Sequence, residues 1–224
     1  MKTKRLDLEF GIFTLLLLVI MMLCVFNLRS RVIYKVYSSN NKTNAQIEYV
    51  IGNSASYEIK SEYNGYEVNK VATRAFYDKP YLKEVVLPDS IKTIERLSFS
   101  KCDRLETINL DNVSNIYRNA FSYCKKLDNI KLSTIVLNSS VFYKCESLKT
   151  IDLSSVISIY SLSLAYTKIE ILDLSSLAYA APEAFYYMDS LLTVNVYNTT
   201  IYNDLTNKYD TFFNKSGVNI NLIS

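Results

Sequence analysis

Three cysteines, Cys102, Cys124 and Cys145, recur 22 and 21 residues apart. Thiols at a regular spacing could ligate a soft metal, close a disulfide or run thiol exchange. Each of these needs partners. The chain has 224 residues and no His, which removes imidazole metal shells and every Ser-His or Cys-His nucleophile. Three thiols also leave one over. If the phrases around them stack, their Cα atoms lie about 5 Å apart, within disulfide range, but with side chains running parallel. Thr167 and Met188 fill the same slot later in the chain, a replacement that packing tolerates and ligation does not. The cysteines therefore read as small buried apolar residues, and no metal or cofactor is expected. No phosphate loop or nucleophile elbow is present, and acid pairs such as Asp103 and Glu106 fall on positions that face solvent by pattern. A protein that is not an enzyme is expected.

The elements that carry the cysteines repeat with them. "SFSKCDRLETINL" (98–110), "AFSYCKKLDNIKL" (120–132) and "VFYKCESLKTIDL" (141–153) are one phrase with three surfaces. Phe76, Phe99, Phe121, Phe142 and Phe185 fall in register, and Leu164 fills the slot between the last two, at spacings of 21 to 23. A period near 22 is the mark of a solenoid of short coils. The "L-x-x-I-x-L" end alternates, as a strand with one buried face does. The "A-F-x-x-C-x-x-L" part spaces apolar residues by three, which predicts a short helical or 3₁₀ turn. Neither piece buries its apolar side alone, so the coils must stack. One coil, "LAYTKIEILDL" (164–174), is a residue short between Leu164 and Ile169 and reads as a tightened turn.

The expected fold is thus an α/β solenoid of about six coils, with short parallel strands on one face and helical turns on the other, residues 71–197. An N-terminal cap, 49–70, contains a β-hairpin signal at Asn64-Gly65. A C-terminal cap, 198–224, combines a helix bearing Leu205, Tyr209, Phe212 and Phe213 on one side with a closing strand at 218–223.

Residues 10–28, "FGIFTLLLLVIMMLCVFNL", would form a helix of about 28 Å, long enough to cross a bilayer. No small-x-small site follows the apolar run, so an uncleaved anchor is favoured over a signal peptide. The expected layout is a cytoplasmic tail (1–9), a transmembrane signal-anchor helix (10–28), a polar tether (29–48) and a repeat domain outside the cell. The alternative is secretion after cleavage. Of the 25 basic and 22 acidic residues, six and two lie in residues 1–38. The body is near neutral, and nucleic acid is not expected as a partner.

The repeat resembles the BspA-type leucine-rich repeat family, whose coils run roughly L-x-x-I-x-L-P-x-S-x-x-x-I-G-x-x-A-F-x-x-C. The match covers about residues 57–197, and "VVLPDSIKTIERLSFSKCDRL" (85–105) carries it best. The family's Gly is replaced by Glu95, Tyr117 and Tyr160, so these turns either avoid positive φ or bear strain for it. The resemblance implies a surface-exposed or secreted protein that binds other proteins or host surfaces.

Within that frame the outward strand positions vary. Thr107, Asn109, Asn129, Lys131, Thr150, Asp152, Ile171, Asp173, Thr193 and Asn195 form the candidate concave face for a protein or glycan ligand. The other candidate is a convex row of Tyr77, Tyr123, Tyr143, Tyr166, Tyr186 and Tyr187, since Tyr offers contact area with a polar tip. Two functions fit: surface recognition or adhesion through the solenoid face, or an assembly scaffold that docks a membrane partner without soluble ligand.

Overall fold

The computed structural model describes residues 30–224. The predicted anchor helix, 10–28, lies outside the described residues. Among the described residues, no helix is long and apolar enough to cross a membrane.

Each coil contributes to three rows. In the first row the alternating apolar residues turn inward and the strands pair in parallel. It comprises Ser56–Glu58, Glu84–Val86, Thr107–Ile108, Asn129–Lys131, Thr150–Asp152, Ile171–Leu174, Thr193–Val196 and Asn219–Leu222. Pairing runs in groups of three, two and three strands. The second interruption falls where the shortened turn, 164–169, feeds the strand Ile171–Leu174. Val85 pairs with Ile108, Ile130 with Ile151, and Leu172 with Val194, which keeps each apolar position over its equivalent.

A second row follows the bend after the first. Its strands are Tyr66–Val71, Thr93–Ile94, Asn115–Ile116, Val136–Leu137, Ser158–Ile159 and Tyr179–Ala180. One inward residue per strand, such as Ile94, Ile116, Leu137 and Ile159, is buried. The repeat pattern contains these positions as its isolated Ile, too short a signal to announce a strand.

The third row carries the aromatic slots, and here the structure differs from expectation. No helix or 3₁₀ segment occurs in residues 71–197. Bonds between residues three apart do form, as from Cys102 N to Phe99 O (3.2 Å) and from Leu105 N to Cys102 O (2.9 Å). They satisfy the spacing of three. A helix is prevented because the residues two before and two after each slot have positive φ. The first set is Arg74, Leu97, Asn119, Ser140, Leu162 and Glu183; the second is Asp78, Lys101, Tyr123, Lys144, Tyr166 and Tyr187. Left-handed backbone costs a non-glycine residue roughly 1–2 kcal/mol. In return, alternate amides point along the solenoid. Phe76 N donates to Ser98 O (2.7 Å), Phe99 to Ala120 (2.8 Å), Phe121 to Val141 (3.0 Å) and Phe142 to Ser163 (2.8 Å). Glu95, Tyr117 and Tyr160, where the family has Gly, are not among the residues with positive φ.

Inside the rows the rings form a spine. Phe76, Phe99, Phe121 and Phe142 stack with centroids 4.7, 5.2 and 5.5 Å apart. Leu164 interrupts the stack, and Phe185 then meets Phe213 at 5.3 Å. Burying each such side chain contributes about 1.5–3 kcal/mol.

The ends are closed by their own segments. Glu62–Tyr63 folds back on Tyr66–Val71 through Asn64 (φ 52°) and Gly65 (φ 78°), both left-handed as a tight two-residue turn requires. The segment expected as a tether, 29–48, is folded from residue 31 onward, and the fold runs on to residue 51. Residues 31–51 form an antiparallel hairpin, Arg31–Ser39 with Lys42–Ile51, turning at Asn40 and Asn41, and its second strand pairs in parallel with Tyr66–Val71. Ala45, Ile47 and Val50 are buried, so alternation prevails over a polar composition rich in Ser and Asn. At the other end lie a helix, Thr199–Asn207, capped by the Asn198 side chain, a short helix, Tyr209–Phe212, and the strand Asn219–Leu222. Leu205, Phe212 and Phe213 pack inward.

Candidate binding face

The thiol column is closed chemistry. Cys102, Cys124 and Cys145 are fully buried and unpaired. Their Sγ atoms donate to the carbonyls of Phe76 (3.0 Å), Phe99 (3.1 Å) and Phe121 (3.3 Å) on the preceding coil. Burial pushes the Cys102 thiol up to about 12 and raises the other two as well. A thiol held neutral is neither a nucleophile nor a metal ligand at physiological pH. Among the described residues no cluster of His, Cys, Asp or Glu is arranged to hold a metal ion.

The outward side chains of the first row stand in two columns set by strand register. The candidate residues Thr107, Asn129, Thr150, Ile171 and Thr193 share one column with Ser56, Glu84 and Asn219. Asn109, Lys131, Asp152, Asp173 and Asn195 share the other with Glu58, Val86 and Asn221. Thr193 and Asn195 are half-buried, and the other eight are exposed.

At its five candidate positions the second column is already engaged. The Asn109 amide clamps the backbone of Leu87, accepting from its N–H at 2.8 Å and donating to its O at 2.8 Å. Lys131 reaches Asp111 at 3.4 Å. The Asp152 carboxylate accepts from Ser154 N (3.0 Å), and bonds from Ser154, aided by Lys131, hold its pKa below the ordinary carboxylate value. Tyr197 OH donates to Asp173 (3.3 Å), and Asn221 donates to Asn195 (3.0 Å). The first column differs. Among the described residues, no protein group bonds the side chains of Thr107, Asn129 or Thr150, and Ile171 is 63 % exposed. A groove of about 660 Å³ is lined by Thr107 and Asn129, and also by Glu106, Lys126, Asp128, Glu146 and Lys149. These five precede the strand in their coils, and the repeat pattern gives no sign that they converge.

The tyrosine row lies along the third row. Tyr123 and Tyr143 meet edge to face at 5.6 Å, Tyr143 and Tyr166 at 5.3 Å, and Tyr166 stacks on Tyr187 at 4.9 Å. Lys144 Nζ lies 5.2–5.8 Å from three of the rings, and Lys101 lies 5.5 Å from Tyr77. Tyr186 donates to Asp210 O at 2.6 Å. The ring faces are turned to one another and to the ammonium groups, so this row offers little free ring face for stacking a ligand.

With parallel rows, a 22-residue coil and the A-F-x-x-C turn in place, the comparisons with known proteins decide the family. The BspA type leucine rich repeat region matches in six copies, over residues 69–192 and 133–222. The chain belongs to the BspA-type leucine-rich repeat family. Three solved structures share the fold. A leucine rich cell surface protein from Faecalibacterium prausnitzii A2-165 is 22% identical, with a TM-score of 0.59 over 72% of this chain and 54% of its own. The leucine rich repeat protein of T. pallidum is 25% identical, with a TM-score of 0.54 over 72% of this chain and 68% of its own. The pneumococcal vaccine antigen PcpA is 18% identical, with a TM-score of 0.56 over 84% of this chain and 48% of its own. The chain therefore spans about half the length of the first and third of these. A search of curated proteins gave no significant match.

Proposed function

We propose that this BspA-type protein is held in the membrane by residues 10–28 and presents its repeats outside the cell for recognition or adhesion. The ligand is a protein or a glycan, and it meets the first row. The observation that carries the reading is the contrast between columns: a fixed frame, one outward column bonded internally, and a neighbouring column of Thr107, Asn129, Thr150 and Ile171 left free. Exposed side chains without internal partners need break no internal bond to bind, only exchange their water contacts. The surface location of the solved Faecalibacterium prausnitzii protein supports the same setting.

The first test is protease treatment of intact cells carrying a tag after Ser224. Digestion from outside is expected. Protection until lysis would place the repeats inside and remove the adhesin-like reading. Cleavage and release of the whole domain would instead favour a secreted protein. The scaffold reading forecasts that partners are lost when residues 1–29, which precede the cap hairpin, are removed. The recognition reading forecasts that they are kept.

A further inference from the structure

The chain closes its three rows unequally at the C-terminal end. The first row continues into Asn219–Leu222. The third row ends on built partners: Glu183 N donates to Thr211 O (2.7 Å), Phe185 N to Phe212 O (3.1 Å) and Tyr187 N to the Asn214 side chain (2.7 Å). The second row has no such continuation. Among the described residues, Tyr179–Ala180 pairs only with Ser158–Ile159.

The open edge can be read group by group. Ile157 O accepts from the amides of Ala178 (2.9 Å) and Tyr179 (3.1 Å), and Ile159 O accepts from Ala181 (2.8 Å). One coil later Ala178 and Ala180 hold the same places. No donor among the described residues reaches their carbonyls. By strand alternation the Ala180 amide points to the same side. Beside this edge lies a cavity of about 260 Å³ between the strand and the helix Thr199–Asn207. Ala180, Pro182, Ile201, Leu205 and Phe212 supply its apolar wall, and the two charged residues that also line it, Asp204 and Lys208, neutralise each other in an ion pair at 2.9 Å. That space suits one or two side chains and is small for a drug-sized molecule.

The surface leading to the edge has its own chemistry. Residues 133–143, 153–167 and 174–182 contain no charged residue. Ile135 is 55 % exposed, Ile157 42 % and Tyr179 44 %. Such a surface offers nothing to a polyanion or to an anionic membrane, both of which require basic residues. It suits an uncharged chain that supplies backbone hydrogen bonds.

We propose that the open edge at Tyr179–Ala180 takes an extended, uncharged peptide segment of a partner protein. The segment adds in parallel as a seventh strand of the second row and places one apolar side chain in the cavity. Main-chain bonds supply affinity, and the cavity supplies selectivity.

The test uses the full chain in detergent micelles and a blocked peptide of sequence SVISIY, the chain's own residues 155–160. Amide exchange is read at Ala180 and Ile159. In the free protein Ala180 should exchange at least about 100-fold faster than Ile159, and millimolar peptide should slow it about tenfold or more. A peptide N-methylated at alternate residues should have no effect. The proposal is overturned by unchanged Ala180 exchange, or by equal slowing with the N-methylated peptide, which would mean apolar adsorption. Protection of Ala180 without peptide that rises with protein concentration would assign the edge to a second copy instead.

Discussion

The two halves of the second row share one backbone and present opposite surfaces. Its first coils carry Asp89, Lys92, Glu95, Arg96, Asp111 and Arg118 around the strands Thr93–Ile94 and Asn115–Ile116. Its last three coils carry no charge between residues 133 and 143, 153 and 167, or 174 and 182. The interior differs along the same axis. Four phenylalanines stack without interruption from Phe76 to Phe142, whereas the later coils have Leu164 and a tightened turn. The difference teaches that a coil frame fixes position and burial but leaves both surface chemistry and local stability free to vary along the chain.

The largest expected effect tests the interior side of that contrast. Phe121→Ala removes a ring stacked on both sides and should cost about 3–5 kcal/mol. Leu164→Ala, outside the stack, should fall near 2–3 kcal/mol. Denaturant unfolding gives both values, and a larger loss for Leu164 would abolish the distinction between the halves.

Alkaline pH should separate the halves next. The thiols of Cys102, Cys124 and Cys145 all lie in the coils before Leu164, with Cys102 raised from 9.0 to about 12. Their neutral forms are favoured by folding, so the unfolded chain binds fewer protons above its own thiol pKa. Stability should therefore fall as pH rises from about 9 towards 12, by up to about 1.4 kcal/mol per pH unit for each thiol. Below that window the contribution is constant. Unfolding curves at pH 8 and 10 check the slope, and Cys124→Ala should make it shallower. In the native state all three should resist a thiol reagent at pH 8, with labelling appearing only as the chain unfolds.

The two outward columns of the first row differ more finely. Asn109→Ala deletes a clamp on both polar groups of Leu87 and should cost about 1–3 kcal/mol. Asn129→Ala, with no internal bond to lose, should stay within about 0.5 kcal/mol of the parent. For binding the order should reverse. Once a ligand is in hand, Thr150→Lys and Ile171→Asp should weaken it about tenfold or more, with unfolding midpoints unchanged. Equal loss of binding at both columns would remove the proposed division between frame and face.

Much of this architecture was legible because solenoid periodicity places each residue against its own equivalent. The alternation at Ile108 and Leu110, or Ile151 and Leu153, specified strands, and the recurring Phe specified the spine. The third row was misread for a physical reason: a spacing of three is met equally by 3₁₀ geometry and by alternating right- and left-handed turns. Only the backbone dihedrals at residues such as Tyr123 and Lys144 distinguish them. The hairpin 31–51 was hidden by polar composition, although Asn40-Asn41 between two alternating runs is a hairpin signal. Of the candidate face, the register of its columns follows from the repeat. That Asn109 is bonded and Asn129 free does not, because it depends on reach across a neighbouring coil. The open edge at Tyr179–Ala180 depends on where the C-terminal segment comes to rest, which no local pattern encodes.

The alternating turn row also gives the solenoid an electrical direction. The alternate amides that bond from coil to coil all point towards the C-terminus, so peptide dipoles that cancel in a strand add here along the stack. The carbonyl pole is met by Val50 N, which donates to Ala75 O at 3.0 Å, and the amide pole by the acceptors of Thr211, Phe212 and Asn214. The two termini are therefore not interchangeable plugs but fittings of opposite sense. A whole coil can be duplicated or lost between them without disturbing either fitting. Such a protein can change its length by gene-level copying while keeping the same two ends.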